Sequence, residues 1–408
     1  MHILETKNTV FPNLNDLNNT LQCGIRSSLM KVIFILNKMV MGGIETAFLK
    51  LIDSIDREKF EIHVILMQRG GELERFLPAN VSVEYMDTPS LLYLLKHFHF
   101  IRFLSGVYYR IRIRNSKNYQ EEILYNYKLK KFSNKNDADC VICYHTAPLC
   151  LLTAVDCHAG KKILWLHTQL NKKISNDLYI NILKEYDYIC CVSHAIKYEF
   201  DCRFSNFSDK TITIYNLIDE QEIRCKAEED SETLTPISLL TVARLSKEKG
   251  QLVIPVVTRK LLNHGYIVNW YLIGGGPLED ELIAEIKENN VEEFVHLLGA
   301  KNNPYPYIKK CDIYIQPSIQ EGFGLTVQEA KILRKPIIAS DIPAFREQIE
   351  DRVNGILIDR DPESFFKTIA ELIDDKELAL RLVDNLSNYH FDVHNELDML
   401  HKYIFSEC

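Results

Sequence analysis

Short apolar runs alternate with longer stretches in which apolar residues return every three or four positions, and the alternation continues through most of the chain. Lys31–Asn37 (KVIFILN) is apolar at every interior position, as a strand buried on both faces must be. In the run that follows, Ile44, Ala47, Phe48, Leu51, Ile52 and Ile55 keep helical spacing. Phe60–Met67 predicts the next strand, and Asp139–His145, Lys161–His167, Tyr186–Ser193 and Thr211–Asn216 predict further ones. Strands separated by helices pair in parallel, because a parallel pair needs a crossover that a helix supplies.

The pattern breaks over residues 219–235, where Asp219, Glu220, Glu222, Glu228, Glu229, Asp230 and Glu232 form an acidic polar linker. A second alternation follows. Strands are predicted in 237–245, 269–277, 294–299, 311–318, 335–340 and 355–360, with helices from about Gln251, over Glu279–Glu288 and over about Pro362–Ile373. Pro255 lies inside the first of these helices and is expected to kink or delay it. The chain therefore reads as α/β, with two doubly wound Rossmann-like domains: 30–217 and 236–385, joined by 218–235. Residues 1–29 read as a flexible extension or a misassigned start, and 386–408 as a tail.

A chain of 408 residues accommodates two domains of ordinary size. Its net charge of −8 argues against a nucleic-acid partner. No apolar run reaches the ~18 residues of a spanning helix. The Asn-rich start lacks a basic region followed by an apolar core, so it does not read as a signal peptide. The odd total of 11 cysteines then favours a reducing, cytoplasmic compartment. Cys140, Cys143, Cys190, Cys191 and Cys311 fall in apolar strand runs and are read as core. Cys140-x2-Cys143 with His145 lacks the second ligand pair of a zinc site. Segment 91–131 departs from the overall acidity, with nine basic residues, Glu121 and Glu122, a net of +7, and Phe98, Phe100, Phe103, Tyr108 and Tyr109 interleaved with the bases. Such a segment suits peripheral attachment to an anionic membrane surface or, equally simply, a solvated helical pair.

The densest chemistry is EGFGLTVQE, residues 321–329, between a strand and a helix. Gly322 and Gly324 let the backbone turn tightly and approach a ligand. The amides of Leu325, Thr326 and Val327 open a helix, and a helix N-terminus is an anion site. Glu321 and Glu329 flank it, so one region offers phosphate contacts with a carboxylate on each side for hydroxyl groups.

In this form, E-x7-E written EGFGLTxxE, the motif resembles that of retaining family 4 glycosyltransferases (glycosyl transferases group 1), which have the GT-B fold with two Rossmann-like domains facing a central cleft. The resemblance implies that Glu321 contacts the donor sugar and Glu329 the ribose, with Phe323 in the same loop. Arg244 and Lys249 match the R-x4-K pair that contacts the donor diphosphate. Gly42-Gly43 with Glu45 are similar to the GG-x-E turn that faces the donor phosphates. His167 corresponds to a histidine near the reacting centre. Asn216 resembles part of an interdomain Asn-Gly-x-Asp segment, although Leu217 stands where the glycine would be. The implied donor-binding set is Gly42, Gly43, Arg244, Lys249, Glu321, Gly322, Phe323, Gly324, Leu325, Thr326 and Glu329; the implied catalytic set is His167, Arg244, Lys249 and Glu321. Gly274–Gly276 and Leu298-Gly299 read equally well as a border of the base site or as tight packing turns. No cofactor or metal is expected. Asp137-Ala-Asp139 and Asp359-Arg-Asp361 read as carboxylates at strand edges.

The resemblance further implies that 30–217 is the acceptor domain, that 236–385 binds the nucleotide sugar, and that the tail packs back on the first domain. It implies transfer from a nucleotide diphosphate sugar, UDP-sugar first, to a glycan or lipid-linked oligosaccharide acceptor in bacterial capsule, lipopolysaccharide or O-antigen synthesis, on the inner face of the cell membrane. Two other readings stand beside it. A non-catalytic sugar-nucleotide-binding partner of another transferase would keep the same donor residues. An NAD-dependent oxidoreductase would share the alternation, but G-x-G-x-x-G is missing after the first strand.

Overall fold

The computed structural model describes residues 29–86 and 137–405. The extension before Leu29 and the basic, aromatic segment 91–131 lie outside the described residues.

The first sheet contains β1 (Met30–Leu36), β2 (Phe60–Leu66), β3 (Ser82–Tyr85), β4 (Ala138–Cys143), β5 (Ala159–Leu166), β6 (Tyr188–Cys191) and β7 (Thr211–Thr213). Their order is β3-β2-β1-β4-β5-β6-β7, and each neighbouring pair is parallel. The second sheet contains β8 (Ser238–Val242), β9 (Asn269–Ile273), β10 (Val295–Leu297), β11 (Ile313–Gln316), β12 (Ile337–Ser340) and β13 (Ile356–Ile358). Its order is β10-β9-β8-β11-β12-β13, again parallel. Central strands are buried on both faces: Val32–Leu36, Val141–Cys143 and Ile189–Cys191 are fully enclosed. That is why their sequences are continuous apolar runs rather than alternating ones.

Strand order reverses between β1 and β4 in the first sheet and between β8 and β11 in the second. In an open parallel sheet the crevice outside the carboxyl ends of the strands at such a reversal is where ligands bind. The chain that leaves β1 reaches Gly42, Gly43 and Glu45, and the chain that leaves β4 reaches His145. From β8 it reaches Arg244 and Lys249, and from β11 it reaches Glu321.

Pro255 delays its helix without kinking it. The helix runs Val253–Asn263, which puts Pro255 in the first turn, where its missing N–H has no intrahelical acceptor to leave empty. Strand β3 was not predicted: it is a four-residue edge strand with no fully buried position, so it lacks an apolar run. Within the acidic stretch, Glu220–Lys226 is helical, capped by Asp219. Asp361 likewise caps the helix Pro362–Asp374, and Asp139 accepts the Lys31 N–H at 2.6 Å. Both Asp-x-Asp pairs thus include a carboxylate that holds local backbone. The five strand-run cysteines are buried, and no group of three His, Cys, Asp or Glu able to hold a metal occurs among the described residues. Among these residues no helix is long and apolar enough to cross a membrane.

The two sheets meet through specific contacts. Ser193 Oγ donates to the Gly322 carbonyl at 2.6 Å. Glu347, from the second sheet's side, accepts the backbone N–H groups of His194 and Ala195 and the Tyr215 hydroxyl. It therefore caps the helix His194–Arg203 of the first domain. The terminal helix Val393–Tyr403 returns to the first domain: Leu400 and Ile404 belong to its core, and Phe405 packs on Phe60 with ring centres 4.8 Å apart.

Candidate functional site

The strand β11 ends at Gln316, and a chain of hydrogen bonds carries its order into the loop. The Tyr314 hydroxyl donates to Gln316 Oε1 at 2.9 Å, Gln316 Nε2 to Ser318 Oγ at 2.9 Å, and Ser318 Oγ to Glu321 Oε1 at 2.7 Å. All three supporting side chains are fully buried. The other Glu321 oxygen, Oε2, takes an ion pair from Lys249 Nζ at 2.6 Å. One of the acidic groups and one of the basic groups expected from the sequence are thus bonded to each other, although 72 residues separate them.

Lys249 reaches that position because Lys247–Lys249 forms a single 3-10 turn closed by Gly250 in the left-handed conformation, φ 69°. A Cβ on Gly250 would stand 2.1 Å from the Pro317 carbonyl, so this glycine lets the Lys249 turn lie against the β11 loop. Arg244 is exposed at the cleft, and its charge reaches Glu45, Glu72 and Glu248. Its backbone is pinned by Gln251 Nε2, which donates to the Arg244 carbonyl at 2.8 Å. Gly274 and Gly276 lie in tightly packed turns: added Cβ atoms would lie 1.9 Å from the Ala243 carbonyl and 2.3 Å from the Leu245 carbonyl. They buttress Arg244 from behind.

The helix Leu325–Ile332 begins at Gly324, whose φ of 91° and ψ of 59° are left-handed. No side chain caps it, which leaves its first amides without a side-chain partner. Phe323 is buried and packs on Tyr215 of the opposite domain, ring centres 5.2 Å apart. Thr326, in the first turn, bonds the Tyr314 hydroxyl. Glu329 is half-buried, and burial pushes its carboxyl up to about 7. The Tyr305 hydroxyl, 3.4 Å from Oε1, works in the opposite sense.

Across the cleft, Gly43 starts the helix Gly43–Ser54, and its Cβ position would lie 3.8 Å from Leu325 Cδ1. Two helix N-termini, one from each domain, are therefore brought together. His167 follows β5; its carbonyl would stand 1.8 Å from a Cβ on Gly322, which makes Gly322 a point of backbone contact between the domains. The His167 ring is buried against Tyr144 at 4.4 Å, and burial lowers its proton affinity well below the usual histidine value. Its Nε2 has no hydrogen-bond partner among the described residues. Asn216 is buried as well, with Oδ1 unpartnered, beside a buried Leu217.

The structure adds residues that the sequence reading did not place here. His145 stands 3.6 Å from Glu45, measured from Nε2 to Oε1. Ser318 and Gln316 hold Glu321, and Glu347 joins the domains. A paired Gln316-x-Ser318 at the end of a buried strand was the available signal for the first two; nothing local marks Glu347.

Residues 224–388 match the family model described as Glycosyl transferases group 1. A curated relative, the N-acetylgalactosamine-N,N'-diacetylbacillosaminyl-diphospho-undecaprenol 4-alpha-N-acetylgalactosaminyltransferase of Campylobacter jejuni, is 31% identical over 218 residues, 53% of this chain and 59% of that protein. The O-antigen biosynthesis glycosyltransferase WclY of Escherichia coli is 34% identical over 106 residues, 26% of this chain and 29% of its own. The chain spans little more than half the length of the first curated relatives that it matches. Among solved structures, Anabaena HepE in complex with UDP and glucose superposes with a TM-score of 0.69 at 17% identity, covering 92% of this chain and 100% of that one. TarM of S. aureus superposes with a TM-score of 0.66 at 13% identity, over 93% and 100%. These superpositions fix the architecture as GT-B, and within it residues 224–388 are similar to the glycosyl transferases group 1 family.

Proposed function

We propose that this protein is a retaining, metal-independent glycosyltransferase that moves a sugar from a UDP-sugar to a hydroxyl of a lipid-linked bacterial surface glycan. The observation that carries the reading is the cleft itself: Lys249 bonded to Glu321, beside the uncapped N-terminus of Leu325–Ile332, with Gly43 directly opposite. Glu329 suits a ribose diol, the helix amides and the Arg244 and Lys249 cations suit a diphosphate, and Glu321 suits the sugar hydroxyls. The UDP of the HepE complexes and the undecaprenyl diphosphate acceptor in the Campylobacter relative's name support the choice of donor and acceptor.

In the reaction, the bond from the sugar's anomeric carbon to the diphosphate oxygen breaks as the acceptor oxygen bonds to that carbon from the same face. The acceptor proton passes to the leaving diphosphate oxygen. Negative charge grows on the diphosphate, where fixed cations and amides stabilise it without a metal. His167 lines the reacting side as a neutral imidazole. The +7 segment 91–131 supports peripheral attachment to an anionic membrane, where a lipid-linked acceptor resides.

The test is transfer of labelled sugar from UDP-sugars to an undecaprenyl-diphosphate-linked acceptor in EDTA. Arg244→Ala or Lys249→Ala should each lower kcat by roughly 10²-fold or more. Activity that appears only with added Mn²⁺ or Mg²⁺, or products of inverted configuration, would count against the reading.

A further inference from the structure

The helix Gly43–Ser54 has twelve residues and no side-chain cap at Gly42, yet its N-terminus is not empty. The Glu45 side chain folds back on it. Its carboxylate accepts its own backbone N–H, and Oε2 lies 2.6 Å from the place a Cβ on Gly42 would take. Glu45 is 6% exposed, which is unusual for a carboxylate without a full ion pair. Beside it His145 is 9% exposed. His145 Nδ1 accepts the Asn37 N–H at 2.9 Å, so the ring carries its proton on Nε2. That Nε2 has no hydrogen-bond partner among the described residues and points at Glu45 Oε1 from 3.6 Å. A buried, unsatisfied N–H is thus aimed at a carboxylate that sits where an anion would bind.

The charged and titratable groups that face Glu45 are His145 and Tyr144 from the end of β4, Glu72 from the loop after β2, and Arg244 from β8. Burial, the largest influence, pushes the Glu45 carboxyl up to about 7. Burial also lowers His145 to about 4, so the ring is neutral near neutral pH and does not hold Glu45 as an anion.

Resting on the reading of the cleft as a nucleoside diphosphate site, we infer that Glu45 holds the anion place at this helix N-terminus in the free protein and yields it to the donor's diphosphate by taking up a proton. The proton comes from solvent. The protonated carboxyl then accepts the His145 Nε2–H through one oxygen and donates through the other to a diphosphate oxygen, which removes a like-charge contact and satisfies the orphaned N–H. Glu45 is in this account a positioning residue and a gate on donor affinity, and the donor is preferred at neutral over alkaline pH.

UDP binding by calorimetry in Tris and in HEPES, two buffers of different ionisation enthalpy, tests this on the full chain. At pH 8 the wild type should take up close to one proton per UDP. Its Kd should weaken by about tenfold per pH unit between about pH 7.5 and 9, the slope of one linked proton. Glu45→Gln should bind UDP with no such uptake and a flat profile, and Glu45→Ala serves the same purpose should the glutamine variant not fold. Uridine, which has no phosphate, should bind without proton uptake. Equal proton counts for wild type and variant, or equal counts for UDP and uridine, overturn the inference alone. Absence of UDP binding to every form overturns the donor reading and this inference with it.

Discussion

At the scale of single residues, the cleft is built at the expense of stability. Glu329 has its carboxyl pushed up to about 7, chiefly by burial, against an ordinary value of 4.5. A carboxyl raised in this way contributes fully below about pH 4.5, and that contribution is lost as pH rises through about 7. Replacing the carboxylate with an uncharged isostere removes the loss. Glu329→Gln should therefore raise the thermal midpoint at pH 8, with a gain of up to about 3 kcal/mol at 1.36 kcal/mol per unit, and leave it unchanged at pH 4. The same substitution should weaken UDP binding by about 1–3 kcal/mol, the scale of a lost charged hydrogen bond. Thermal scans at the two pH values with calorimetry at pH 8 decide it; an unchanged midpoint at pH 8 removes the burial argument. Lys331 shows that the same region accommodates a buried cation. Burial lowers its ammonium to about 8, and it is held by the Gln348 carbonyl at 2.5 Å and by the Tyr389 ring at 4.0 Å.

At the scale of elements, the glycines of the 321–329 loop differ in what they avoid. Gly324 is left-handed, and a Cβ there would stand 2.5 Å from Cε1 of Phe345, a fully buried ring with nowhere to move. Gly324→Ala should cost about 1–2 kcal/mol for the left-handed backbone alone and displace the start of Leu325–Ile332. UDP should then no longer raise the thermal midpoint. Gly275→Ala is the matched control, since a Cβ at Gly275 meets nothing within 4 Å; it should behave as wild type. Equal thermal responses of the two variants would show that the turn geometry does not matter. The sequence makes the turn itself visible, because Gly-Phe-Gly between a strand run and a helix run has few other uses. It leaves the obstacles hidden: the Phe345 ring and the His167 carbonyl approach from residues far along the chain. The same division holds elsewhere. Buried parallel strands such as β1 and β11 write their burial into continuous apolar runs, whereas β3, half-exposed at an edge, leaves no such mark. His145 reads with Cys140 and Cys143 as strand packing, but the strand stops at Cys143 and the chain turns, which brings the ring to Glu45. Glu347 is one acidic residue among many until the N-terminus of His194–Arg203 arrives from the other domain.

At the scale of the whole molecule, the chain's last described helix belongs to its first sheet. Val393–Tyr403 follows the second sheet in sequence, yet Leu400 and Ile404 are buried in the core built on β1, β2 and β6. Glu396 accepts the Tyr215 N–H at 2.6 Å, and Tyr403 meets Tyr188 with ring centres 5.5 Å apart. The helix therefore straps the first sheet from behind while the chain that leads to it runs beside the cleft, where Tyr389 bonds Gln328 and the Phe391 N–H bonds Glu220. Burial of two aliphatic side chains contributes about 1.5–3 kcal/mol each, and removing them also uncovers Phe60 and Tyr188. Ending the chain after Asp392 should consequently loosen one domain and spare the other. Hydrogen exchange should quicken in β1, β2 and β6 and stay unchanged in β8, β11 and β12, whose core lacks any residue of the deleted helix. Donor affinity should fall less than transfer activity, because the Lys249–Glu321 pair and the Leu325–Ile332 N-terminus remain in place while the opposing Gly43 and His167 lose their support. Exchange that quickens equally in both sheets would mean the two domains unfold as one cooperative unit, joined through the Ser193–Gly322 and Glu347 contacts more strongly than each is held by its own core.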